Sequence, residues 1–152
     1  MPISNIKHYW TILVKNAAIT QDNNVILGEV IEEIRYQIPL SEKQKFDEAV
    51  KLNGVVAIPF GGSIVTYMEC DQNKDSQSFR IEVLMPNGEK PVAGNNNLKL
   101  TFGENKRGRI LQKIPMLPIS TGGKYIFRLV SVENNIDTIL AEIPLYVNLD
   151  FV

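Results

Sequence analysis

The chain has 152 residues, 44% hydrophobic and 22% charged, the proportions of one ordinary globular domain. With 16 Lys and Arg against 17 Asp and Glu the net charge is -1, so the basic excess that displaces counterions from phosphate is missing and nucleic acid is not an expected partner. A single cysteine, Cys70, excludes an internal disulfide and a metal site built from several cysteines.

Met1 to Tyr9 carries no apolar run behind a basic cluster, and no stretch approaches the ~20 apolar residues of a membrane span. A cytoplasmic, non-membrane protein is therefore expected. The first apolar run is Trp10 to Thr20, with Ile12, Leu13, Val14 and Ile19. Gln21-Asp22-Asn23-Asn24 then reads as a turn, because Asn and Asp tolerate left-handed backbone angles and bond their own backbone. Val25 to Tyr36 fits two periods. Leu27, Val30, Ile31 and Ile34 could form a helix face, but Gly28 and the β-branched neighbours favour a strand with a bulge.

Ser41 to Leu52 is the one expected helix. Ser41 is placed to cap it, with Gln44 three residues on, and Phe46, Ala49 and Val50 recur at helical spacing. Asn53-Gly54 supplies the stop. Strands are then expected at Val55 to Ile58, Ser63 to Cys70, Ser78 to Met85, Leu98 to Phe102 and Arg109 to Ile114. Phe79, Ile81 and Val83 alternate with Arg80 and Glu82, so apolar and charged side chains take opposite faces.

The last third reads as a long hairpin from about Lys124 to Val147. Tyr125, Phe127 and Leu129 should face Ile139, Ala141 and Ile143 in the core, across a turn at Glu133-Asn134-Asn135. Tyr125, just after Gly122-Gly123, is placed to act as a tyrosine corner. Ile-Pro followed by an apolar residue recurs at Pro39, Pro59, Pro115 and Pro144. Proline cannot donate to a ladder, so these sites should be edges, strand ends or bulges. Pro115 to Pro118 also has the spacing of a Pro-rich ligand, but its flanks are core-like.

These features together predict a single domain over 1–152, mainly all-β. The expected architecture is a two-layer antiparallel β-sandwich, immunoglobulin-like or C2-like, with one short helix near 41–52. The stretches Asn16 to Gly28, Phe79 to Gly88, Ile114 to Phe127 and Ile143 to Val147 carry a wider likeness. In their order the chain resembles an uncharacterised family of small bacterial β-domain proteins, a domain of unknown function. The resemblance implies a sandwich and a bacterial or phage origin, and it carries over no functional residues. The helix at Ser41 to Leu52 departs from it.

Candidate chemistry is sparse. Asp71, Asn73 and Asp75, with Glu82 seven residues later, have the oxygen-ligand spacing of a calcium loop. Ser76 stands where the sharp turn needs Gly, and the flanks read as strands, so a polar hairpin loop is the leading reading and no metal or cofactor is expected. Lys106-Arg107-Gly108-Arg109 is a basic cluster with no aromatic residue interleaved, and reads as a solvated loop. His8 is the sole histidine. Ser63 follows Gly61-Gly62 without a nucleophile elbow or a phosphate-loop lysine, and Cys70 reads as a buried strand residue. Glu32-Glu33 and Asp47-Glu48 read as solvent faces. No catalytic residue is assigned.

The leading expectation is a non-enzymatic binding or assembly module with a protein partner or self-association. The alternative is a small-ligand or carbohydrate binder, which requires Trp10, Tyr36 and Tyr67 to lie outside the core and uses loops such as Asp71 to Gln77 or Gly94 to Asn97. A hydrolase with dispersed carboxylates stands third.

Overall fold

Alternating apolar residues need a second apolar surface, and this chain supplies one by folding two sheets onto each other. The computed structural model describes residues 6–71, 77–91, 96–102 and 106–152. A three-stranded antiparallel sheet has the order β1 (Ile6–Val14), β5 (Val56–Cys70), β8 (Arg107–Ile119). A five-stranded sheet has the order β4 (Glu33–Ile38), β10 (Ile136–Phe151), β9 (Gly123–Glu133), β6 (Gln77–Leu84), β7 (Asn96–Leu100). The hairpin β2 (Ala17–Ile19) and β3 (Val25–Leu27) stands apart as a two-stranded sheet. The expected all-β sandwich with one short helix is the observed fold. One pairing is parallel: β4 runs alongside the end of β10, with Glu33 opposite Tyr146 and Ile38 opposite Phe151.

The core lies between the two larger sheets. Leu13, Ile64, Met68 and Cys70 come from one side, and Phe79, Ile81, Tyr125, Phe127 and Leu145 from the other. Burying such a side chain contributes roughly 1.5–3 kcal/mol. Val14 and Val65 are equally buried but face away from this core. On that side the tip of the β2–β3 hairpin reaches β8: Arg109 donates to the Asn23 carbonyl at 3.0 Å.

Several local expectations need correction. Val25 to Tyr36 is two strands rather than one bulged strand. The chain leaves β3 at Gly28, bridges β1 through Val30 and Val14, and only then enters β4. Ser41 caps nothing. A 3-10 turn, Leu40–Glu42, follows Pro39, and α1 (Lys43–Asn53) begins from Glu42 without a side-chain cap. The stop at Gly54 is as expected, with φ at 81°. The predicted strands Val55 to Ile58 and Ser63 to Cys70 are one strand, interrupted by a bulge between Pro59 and Gly62. Gly61 takes a φ of +70° there, and a Cβ on Gly62 would meet the Phe60 ring at 2.2 Å. The bulge lays Phe60 on Phe127, their centroids 6.0 Å apart.

The closing hairpin forms, and its turn is as the sequence suggests. Asn134 and Asn135 have φ of 51° and 62°, the two positive angles of a type I′ turn. Its core pairs are shifted. Leu129 faces Ala141 and Phe127 faces Ile143, but Tyr125 faces Leu145. A bulge between Ile139 and Ala141 turns Ile139 out of the core, leaving it 50% exposed. Tyr125 does form the corner: its hydroxyl donates to the Thr121 carbonyl at 2.6 Å and accepts from the Ser120 N–H at 3.0 Å.

Candidate functional site

A groove follows from how the two sheets end. Among the described residues β1 is an edge strand, paired with β5 and met on its other side by residues 29–31. β10 is flanked by β4 only from Tyr146 onward, so from Ile136 to Leu145 it has β9 on one side and, among the described residues, no paired strand on the other. Pro144 belongs to that open stretch, where a residue without an N–H is tolerated. Between the two edges runs a groove of about 670 Å³. Ile12, Leu13, Ile31 and Ile143 supply its apolar walls, and Thr11, Glu32 and Asn148 supply polar groups. Val30 and Tyr146 stand at the rim, each about half exposed.

The outer face of the three-stranded sheet holds a second feature. Trp10 pairs with Tyr67 across the ladder and Tyr67 with Arg109. A bulge between His8 and Trp10 brings Tyr9 to the same cluster, its ring 5.3 Å from that of Tyr67. Tyr9 also donates to Glu69, and the Lys7 ammonium lies over its ring. Trp10 and Tyr67 therefore lie outside the core. Tyr36 is half-buried at the sandwich rim, where it donates to the Pro59 carbonyl. Burial, and secondarily the Tyr125 phenol, pushes its own hydroxyl up to about 12, so it stays protonated at neutral pH.

The residues singled out from the sequence are mostly dispersed. Of the calcium-loop set, Asn73 and Asp75 lie outside the described residues, as do most of the 71–77 and 94–97 loops. Asp71 is exposed at the end of β5. Glu82 lies on the outer face of the five-stranded sheet, where Arg80 and Lys90 donate to its carboxylate at 2.7 and 3.0 Å. Among the described residues, no three metal-ligating side chains converge.

His8 is held by Thr11, which in turn bonds Thr66 at 2.8 Å. Burial lowers the imidazole below its usual value. His8 stands opposite Met68 in the ladder, whereas Ser63 is opposite Val14 at the far end of β1. His8 and Ser63 do not pair. Cys70 is fully buried in the core. Asp47 and Glu48 are engaged by Lys43 and Gln44 on the solvent face of α1. Glu32 and Glu33 are both exposed, as expected, and they line the open groove, where Glu33 accepts from Asn148. Reading the sequence missed the groove because its walls come from three separated segments. The only signal was the Ile-Pro pattern marking open strand ends. Among known proteins, the chain matches no family model and no curated protein.

Proposed function

We propose that this chain is a non-enzymatic binding module that accepts an extended protein segment as an added strand on the open edge of β10. The observation that carries the reading is the stretch from Ile136 to Leu145, which no strand flanks on its second side among the described residues, and which ends beside an apolar groove. An open edge offers a row of backbone donors and acceptors, and a groove beside it selects alternate side chains. Ile136 and Ile139, both about half exposed, keep that edge apolar rather than guarded by lysine. The test pairs native pulldown with light scattering on wild type and Ile139→Lys. The expected result is a recovered partner or self-association that the lysine abolishes without loss of the folded state. A strict monomer that retains nothing, or a partner indifferent to Ile139→Lys, removes the reading.

A second reading, a carbohydrate or small-ligand binder, is favoured by the cluster of Tyr9, Trp10 and Tyr67 outside the core. Trp10 is the sole tryptophan, so its fluorescence reports directly on ligands stacked there.

A further inference from the structure

The bulge in β5 builds a smaller site that is independent of the β10 edge. Ser63 follows the bulge and is 5% exposed, yet its hydroxyl has no hydrogen-bond partner among the described residues. A hydroxyl that lines a depression can exchange water for a ligand oxygen. The Ser63 hydroxyl opens on a depression of about 320 Å³, at the small end of the range for ligand sites.

The lining has one sign of charge. Lys113 is the ladder partner of Ser63 on β8, and Lys15 comes from the turn after β1. Asn16 and the Gly61-Gly62 backbone complete the polar surface, and no carboxylate lines it. Lys113 makes no ion pair among the described residues. Lys15 reaches Glu29 at 3.3 Å, but both side chains are mostly exposed, and such pairs contribute little. Two cations, a free hydroxyl and a glycine turn are the donor set that a tetrahedral oxyanion requires. In the sequence Gly61-Gly62-Ser63 lacks the lysine of a phosphate loop. In the fold, a neighbouring strand and a turn bring two.

We propose that this depression binds a small oxyanion of the phosphate class, with Ser63 and Lys113 as its principal ligands and Lys15 as a second cation. Free phosphate and a phosphomonoester share this chemistry, so both serve as probes.

The experiment follows backbone amide NMR shifts during titration with inorganic phosphate and, separately, with glycerol phosphate, at ionic strength held constant with chloride. The expected result is a saturable shift confined to Gly61, Gly62, Ser63, Lys113 and Lys15. Tighter binding of glycerol phosphate would assign the site to an ester, and tighter binding of phosphate to the free ion. Lys113→Gln, an exposed and structurally mild change, should weaken binding about tenfold, as loss of one charge-assisted bond implies. Ser63→Ala should weaken it severalfold. Equal shifts with chloride, shifts that never saturate, or affinity unchanged by both variants would overturn the assignment. The wild-type titration decides this even if Ser63→Ala perturbs the sheet.

Discussion

Glu82 offers the sharpest test of how the five-stranded sheet is held. Its side chain is 2% exposed although it points away from the core. Arg80 Nε and Lys90 Nζ donate to one carboxylate oxygen at 2.7 and 3.0 Å, and Arg128 stands 3.9 Å from the other. Arg80 continues to Asp137 and Arg128 to Glu142, so the network ties β6, β9 and β10 to residue 90. Burial alone would raise the Glu82 pKa. The hydrogen bonds from Lys90 and Arg80, with their charge, outweigh it and hold the carboxyl below its usual value.

Glu82→Gln keeps the shape and removes the charge. Removing one partner of a buried pair costs about 3–5 kcal/mol, and the cations here reach water in part, so about 2–3 kcal/mol is expected. For a chain of this length that lowers Tm by roughly 5–10 °C. The pH dependence has a definite sign. A carboxyl whose folded pKa lies below its unfolded value contributes its stability above the unfolded value, near 4.5, and loses it as pH falls through the folded one. Urea denaturation of both proteins at pH 7 and in steps down to pH 3 should show a gap that closes below about pH 4.5. A variant as stable as wild type at pH 7, or a gap unchanged at pH 3, would refute the argument.

Tyr125→Phe should cost about 1–3 kcal/mol, because the Thr121 carbonyl and Ser120 N–H lose their shared partner while the ring stays packed; urea midpoints measure it. Ser41→Ala should change stability by less than about 0.5 kcal/mol, since no side-chain cap is present at that helix start. A loss near 1 kcal/mol would restore the capping box that the sequence suggests.

What the sequence made legible was local. Period-two runs such as Phe79 to Val83 located strands, and paired asparagines located the hairpin turn, because each depends on neighbours within a few residues. Tyr125 was legible for the same reason: its hydroxyl bonds residues four and five positions back. The bulges were not. Adding one residue to a strand flips every later side chain, so Ile139 looked like core until its register with Val130 was known. Functional surfaces were less legible still. Arg109 had no aromatic neighbour in sequence, yet Tyr67 lies beside it across the ladder. Ser63 had no lysine within reach, yet Lys113 is its direct partner.

The same geometry says where on the molecule function belongs. The outer face of the five-stranded sheet spends its charges on itself: Arg80, Glu82, Arg128, Asp137 and Glu142 are mutually paired, and Val130 beneath them is almost fully covered. A ligand there would have to break ion pairs before making any. The opposite side has no such closure. Tyr9, Trp10 and Tyr67 are partly exposed there, Ser63 lines an open depression, and the β1 and β10 edges face a groove. Apolar side chains and rings exposed at an open edge carry a standing cost in water, and binding removes it. The hairpin β9–β10 serves both sides at once: its Arg128 row locks the closed face, and its 136–145 edge opens the other.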